Sequence, residues 1–136
     1  MSDTLNPTQI GDISEAMVRA RFIEKGYVVL VPLNSGLRYD IAVEKDGVFK
    51  RVQIKTGRML DTGVILFNSS SLDPSTRNSQ VDYYGDIDWF AIYCPFNRKT
   101  YLMNVNDTPP NHGRLRVEPT KNNQTKGIRW ATDHEF

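Results

Sequence analysis

The stretch YDIAVEKDGVFKRVQIK, residues 39–55, decides how the chain folds. Val, Ile and Phe alternate with polar residues on both sides of Asp46-Gly47, a dipeptide that favours a two-residue hairpin turn with positive φ. Pairing Lys45 with Val48 then sets every other cross-strand partner, with Asp40 opposite Gln53 and Arg38 opposite Lys55. Side chains alternate between the faces of a strand, so Asp40, Gln53 and Lys55 share one face. Ile41, Val43, Val48, Val52 and Ile54 make the other face, an unbroken apolar set. The hairpin predicts a core on one side and an acid, an amide and an amine on the other.

Ahead of the hairpin, Asn6-Pro7-Thr8-Gln9 has the form of a helix start: Asn as N-cap, Pro at the first position, Gln at the third. Ile10, Ile13, Met17, Ala20 and Ile23, with Ala16, recur at helical spacing and predict the buried face; Gly26 ends the helix. Glu15 flanks this stripe one turn before Arg19. On the helix alone that pair is an exposed contact worth ~0.2–0.5 kcal/mol. Residues 27–33 (YVVLVPL) read as a buried strand with Pro32 near its end, and residues 34–36 as a turn.

Behind the hairpin, Thr56-Gly57 breaks the strand and residues 63–67 (GVILF) make another. Residues 68–80 (NSSSLDPSTRNSQ) are polar, rich in turn formers and without a period, so a loop is expected. Residues 88–95 and 100–105 predict two strands joined through residues 96–99. A loop over residues 106–113 and a short strand through Leu115 and Val117 follow. The tail is polar until Ile128 and Trp130, which are expected to tether it. One helix followed mostly by strands predicts an α+β or mixed α/β fold with a central sheet.

The chain of 136 residues is long enough for one domain with its own core, and 39% apolar with 24% charged residues suits a soluble globular protein. Lone Cys94 and the absence of Cys/His ligand spacing point to a reducing, cytoplasmic setting. The N-terminus lacks a signal pattern, and no apolar run approaches the ~20 residues of a membrane span. Net charge is +1, but residues 94–136 carry seven Lys/Arg against four Asp/Glu, whereas residues 58–93 carry two against five. On charge alone this asymmetry is ordinary solvated surface.

The polar face of the hairpin has the makings of a metal site. Directly opposed strand residues have Cα atoms about 4.5–5.5 Å apart, so oxygens of Asp40 and Gln53 can reach one small cation. Mg²⁺ suits such a site because it accepts few carboxylates and keeps several waters. Lys55 is then placed to orient an attacking water or to offset charge on a phosphate. Asp86 and Asp88 precede a strand and read as turn caps rather than ligands. Tyr83, Tyr84, Trp89, Phe90 and Tyr93 read as core or interface rather than a base-stacking platform, and His112 and His134 as surface.

Asp40 with Gln53-Ile54-Lys55 resembles the signature of the PD-(D/E)XK nuclease superfamily, an Asp at the end of one strand and an acidic residue two before Lys on the next. Gln53 stands where the signature has Asp or Glu. The helix bearing Glu15, the Arg38-Tyr39-Asp40 context and Tyr84…Asp86-Ile87-Asp88-Trp89-Phe90 make the chain similar to the intron-encoded homing endonuclease branch, with its helix Glu, Asp and Gln-x-Lys. Holliday-junction resolvases also place a helix Glu near the metal. The resemblance covers residues 10–105, with a looser match at Ile128-Arg129-Trp130-Ala131.

The resemblance implies an α/β, restriction-endonuclease-like core: a central mixed β-sheet of about four strands plus an extra hairpin, flanked by helices. A single nuclease domain would span residues 1–136, with its core over 8–105 and a C-terminal extension over 106–136. The implied activity is site-specific, Mg²⁺- or Mn²⁺-dependent cleavage of double-stranded DNA by a homodimer or homotetramer. Glu15, Asp40, Gln53 and Lys55 would be the catalytic set. Glu15 and Asp40 already match one divalent ion, and a third acid would add repulsion. Gln53 keeps an oxygen ligand without that charge, and the Ile54 carbonyl supplies another. Arg19, Lys25, Arg38 and Arg58 are candidate DNA contacts, as are Arg77, Arg98 and Lys99, and Lys121, Lys126 and Arg129 in the tail. A junction resolvase or a restriction or repair nuclease is the enzymatic alternative. Gln53 keeps open a DNA-binding protein of the same fold without catalysis.

Overall fold

Asn6 caps the first helix reciprocally with Gln9. Asn6 Oδ1 accepts the Gln9 N–H at 2.8 Å and Gln9 Oε1 accepts the Asn6 N–H at 2.9 Å. Helix α1 spans Pro7–Glu24, and Gly26 beyond it takes φ +88°. The structure, a computed structural model, describes residues 4–136 apart from 74, 77, 78, 123 and 125.

The helix turns a different face to the sheet from the one its spacing predicts. Ser14, Val18 and Phe22 are its buried residues, whereas Ile13, Met17 and Ile23 are 39%, 40% and 62% exposed. Ala16 and Ala20 are exposed with them. The helix is apolar on two opposite sides, and periodicity alone selects the wider one. Ser14, the polar member of the buried stripe, is satisfied: its Oγ lies 2.6 Å from Thr56 Oγ1 and donates to the Ile10 carbonyl at 3.1 Å.

Among the described residues ten strands follow: β1 Val28–Leu30, β2 Ile41–Lys45, β3 Val48–Thr56, β4 Arg58–Met59, β5 Val64–Asn68, β6 Ser70–Leu72, β7 Gln80–Asp82, β8 Trp89–Cys94, β9 Lys99–Asn104 and β10 His112–Arg116. The central mixed sheet has five of them in the order β1-β2-β3-β8-β9, with β3 and β8 parallel and the other neighbours antiparallel. The β2–β3 register runs from Lys45↔Val48 to Ile41↔Val52, as the hairpin arithmetic predicts, and Asp46 (φ 53°) and Gly47 (φ 82°) form the turn. Val48, beside that turn, is 56% exposed and drops out of the predicted apolar set.

Strand β1 is not buried. It pairs only with β2, at the edge of the sheet, and Val28, Leu30 and Val31 are exposed. A continuous apolar run does not distinguish an edge strand from a central one. The loop expected over residues 68–80 is interrupted: Asn68 ends β5, and Ser70–Leu72 (β6) pairs antiparallel with Gln80–Asp82 (β7), from Ser70↔Asp82 to Leu72↔Gln80, while residues 74, 77 and 78 of that stretch lie outside the described residues. Polar contacts such as Ser70 Oγ to Gln80 Oε1 (2.6 Å) support this ribbon, so no apolar period announces it. Of the loop expected over 106–113, residues 105–107 form a 3-10 turn and β10 begins at His112.

A separate three-stranded sheet, ordered β10-β5-β4, packs against the central one. Two cores result. Val18, Phe22, Ile41, Val43, Val52, Ile54, Ala91 and Tyr93 pack beneath α1. Ile65, Phe67, Tyr83, Phe90, Ile92, Met103 and Leu115 pack on the opposite side, between the two sheets. Gly57, where β3 passes into β4, has no room for a side chain: a Cβ would sit 2.6 Å from Ile65 Cγ2 and 2.9 Å from Ile92 Cγ2. The tail is tethered by buried Ala131 and by Phe136 on Phe22, ring centroids 4.8 Å apart, while Ile128 and Trp130 are half-buried. Among the described residues α1 is the one α-helix, so the implied flanking helices reduce to it and two 3-10 turns. None of these helices is long and apolar enough to cross a membrane.

Phe22 is fully buried against Tyr27, Trp89 and Phe136. Truncation to Ala is expected to cost about 3–5 kcal/mol in urea unfolding. A cost below 1 kcal/mol would contradict the orientation of the helix.

Candidate active site

Asp40 stands just before β2, where main-chain pairing ends at Ile41↔Val52. Its N–H donates to the Val52 carbonyl at 2.9 Å, and its Oδ2 accepts the Ile54 N–H at 2.9 Å. The ladder does not continue to an Asp40–Gln53 pair; the Asp40 carboxylate takes over one of the hydrogen bonds that a longer ladder would have made. That holds the carboxylate beside the Gln53-Ile54-Lys55 segment of β3.

Gln53 and Lys55 share one face of β3, next to Phe90 and Ile92 of β8, and both are half-buried. Lys55 Nζ donates to the Tyr83 hydroxyl at 3.2 Å and lies 4.9 Å from the centre of its ring. The Arg38 guanidinium sits over the same ring at 4.0 Å, donates to Ser71 Oγ at 2.8 Å and to the Asp82 carbonyl, and pairs with Asp86 at 3.4 Å. Arg38 therefore does not oppose Lys55 as a free cation; it ties the β6–β7 ribbon to the site. Tyr83 was legible in the sequence as a core aromatic. That it hydrogen-bonds Lys55, 28 residues away in the chain, is something no local spacing records.

Glu15 reaches this neighbourhood from α1. Burial raises its carboxyl above the ordinary value, the negative charge of Asp40 adds to the rise, and Arg19 offsets part of it. The surface pair is also present, with Arg19 Nη2 at 3.8 Å from Glu15 Oε2. Burial likewise raises Asp40, against the opposing pull of the Ile54 hydrogen bond and the charges of Lys55 and Arg19. Arg19 Nε is buried without a hydrogen-bond partner among the described residues. Two carboxylates whose ionisation is resisted are chemically suited to a small divalent cation, which would relieve that cost. No group of three or more His, Cys, Asp or Glu that could hold a metal occurs among the described residues.

Asp86 and Asp88 serve arginines rather than turns. Burial pushes Asp88 up, but bonds from the Arg51 N–H (2.8 Å) and Nε (3.3 Å) prevail and hold it low. Asp82 caps the turn instead, accepting the Tyr84 N–H at 3.1 Å. Tyr83, Phe90 and Tyr93 are buried, Trp89 is half-buried, and Tyr84 is exposed with its hydroxyl donating to the Thr108 carbonyl. His112 is exposed, and His134 Nδ1 lies 3.3 Å from the Leu102 carbonyl.

The candidate DNA contacts do not gather at Asp40. Arg19 borders the carboxylates, Lys99 pairs with Glu135 at 3.3 Å, and Lys25 Nζ lies 5.4 Å from the Phe136 ring centre. Arg58, Arg98, Lys121, Lys126 and Arg129 are exposed, and Arg77 lies outside the described residues.

A family profile described as PD-(D/E)XK endonuclease matches residues 5–136, beyond the 10–105 of the motif resemblance. Protein 5.3 of Escherichia phage T7 is 33% identical over 82 residues, which cover 60% of this chain and 68% of that protein. The structure of a bacterial homing endonuclease, I-Ssp6803I, superposes with a TM-score of 0.78 at 20% identity, over 96% of this chain and 89% of that one. That likeness establishes a shared fold.

Raised carboxyl pKa values mean that the folded chain holds protons more tightly than the unfolded chain. Their contribution to stability is thus most favourable at acidic pH and declines as pH rises through the folded values. Asp40→Asn retains an oxygen for the Ile54 N–H and removes the buried charge. Its Tm near neutral pH is expected to be no lower than the parent's and up to about 4 °C higher, with the gain vanishing in acid. A marked loss of Tm at neutral pH would show the charge to be stabilising.

Proposed function

Because the chain belongs to the PD-(D/E)XK endonuclease family, we propose that it is a divalent-metal-dependent, site-specific endonuclease of double-stranded DNA, similar in action to a homing endonuclease. The observation that carries this is the Asp40 carboxylate, fixed by the Ile54 N–H beside Lys55 and sensed electrostatically by Glu15. Asp40 and Glu15 would hold Mg²⁺ or Mn²⁺, with oxygens of Gln53 and Ile54 as neutral donors. Such an ion, when bound, polarises the phosphate and favours ionisation of a water. Lys55, steadied by the Tyr83 hydroxyl, positions the attacking water and offsets charge developing on the phosphoryl oxygens. Gln53 keeps the site from accumulating a third negative charge.

Asp40→Ala and Lys55→Ala are each expected to abolish cleavage of a randomised duplex library in Mg²⁺, with circular dichroism unchanged. Sequencing of cut ends from the parent would give the target. Cleavage should fall on acidification at a pH above the ordinary carboxylate range, since both raised acids must ionise to hold the metal. Undiminished cleavage by both variants would sink the assignment. Four-way junctions cut irrespective of sequence would favour a resolvase. Gln53 favours one reading of another class, a DNA-binding protein without catalysis; salt-dependent DNA binding with no heat of Mg²⁺ or Mn²⁺ binding would support it.

Cutting both strands calls for two centres, and the back of α1 supports assembly into a homodimer or homotetramer. Ile13, Ala16, Met17, Ala20 and Ile23 form an exposed apolar face, with Arg21, Arg98 and Lys99 beside Met17 and Ala20 at its border. Ala16 and Ala20, one turn apart, let a second copy's helix approach closely in a self-complementary contact. Met17→Glu is expected to lower the sedimentation coefficient toward that of a monomer. No change, or a parent that is already monomeric, would remove this surface as the interface.

A further inference from the structure

The outer face of the three-stranded sheet gathers cations that the fold does not neutralise. Antiparallel pairing places Arg58 of β4 and Arg114 of β10 on either side of Leu66 of β5. Cross-strand partners share a face, so all three point away from the core that Ile65 and Leu115 fill from the other side. Two strand spacings separate the arginines by roughly 10 Å. His112 and Arg116 alternate onto the same face along β10, and a groove beside them is lined by His112, Arg114, Arg116 and Arg129.

Four other arginines meet acids: Arg19 with Glu15, Arg21 with Glu24, Arg38 with Asp86 and Arg51 with Asp88. On this face Arg58 and Arg114 are exposed, and their side chains make no hydrogen bond or ion pair among the described residues. Arg116 Nη1 donates to the Thr62 and Glu118 carbonyls at 3.3 and 3.1 Å, which leaves its charge without a carboxylate partner. Glu118, whose side chain lies beside Gly63, is an acid at the margin. An array of like charges adds self-repulsion to the folded state, which a polyanion relieves.

We propose that this face binds the phosphate backbone of duplex DNA, with Arg58 and Arg114 as its central contacts and Arg116 and Arg129 extending it. The proposal rests on the nuclease reading. Guanidinium groups suit phosphate because they donate two parallel hydrogen bonds to it. Arg58 follows Lys55 by three residues, across the Gly57 position that admits no side chain. Duplex held on this sheet is therefore tied to the strand that carries the catalytic lysine. Phosphate contacts carry no base information, so this face sets register and affinity rather than target choice.

The test is the salt dependence of duplex binding by the full chain, measured in an Asp40→Ala background so that nothing is cut. Each phosphate contact contributes about 0.9 to the slope of log K against log salt, so Arg58→Ala with Arg114→Ala should make it shallower by about 1.8. Target and scrambled duplexes should weaken by the same factor, and Arg58→Lys with Arg114→Lys should keep most of the slope. Equal affinity and slope in the alanine pair, with the background protein binding DNA, would overturn the face and leave the nuclease reading intact. A background protein that binds no duplex at any salt would overturn both. Weakening confined to one sequence would make the arginines base readers and overturn the backbone assignment.

Discussion

The hydrogen bond from the Ile54 N–H to the Asp40 carboxylate is the contact on which the site depends. It replaces a main-chain ladder bond with a side-chain one, so pairing between β2 and β3 stops at Ile41↔Val52 while β3 continues. An acid placed at the point where two strands part has one oxygen committed to the backbone and the other available. The same bond opposes the desolvation of Asp40, and without it the carboxylate would be harder still to ionise.

Strand β3 serves two cores at once, and that is why acid and amine end on its rim. Ile54 faces the helix and packs with Val18 and Phe22, whereas Lys55, one residue on, faces the side of Tyr83 and Phe90. Glu15 comes from the layer on one side of the sheet and Tyr83 from the layer on the other, and Asp40 lies between. Closure of both layers brings these groups together. Gly57 then lets β3 run on into the second sheet where Ile65 and Ile92 leave no space for a Cβ.

The electrostatics of the site oppose the fold. Glu15 and Asp40 are both harder to ionise than a free carboxyl, chiefly because burial desolvates them, and the charge of Asp40 adds to the rise at Glu15. Packing elsewhere offsets that cost, as in Phe22 with its aromatic neighbours and the Arg51–Asp88 pair that joins β3 to the start of β8. Charge held against solvation is common where a protein prepares to bind an ion or a polyanion, because the ligand removes the penalty.

Local signals determined a good deal about this protein: the Asn6–Gln9 cap, the Asp46-Gly47 turn, the β2–β3 register, the Thr56-Gly57 break, and a motif whose family residues 5–136 match. Each is set by residues a few positions apart, where backbone geometry leaves few alternatives. Tertiary structure decided the rest. Apolar residues line two sides of α1, and only the shape of the sheet selects Ser14, Val18 and Phe22 over Ile13 and Met17. The apolar run of β1 lies at an edge because, among the described residues, no strand pairs beyond it, and the polar β6–β7 ribbon is anchored by Arg38 from a distant segment. Glu15, Asp40, Lys55 and Tyr83, spread over residues 15–83, become neighbours through the parallel β3–β8 pairing and the seating of α1. Neither is written in local spacing, because long-range contacts are chosen by how buried surfaces fit together.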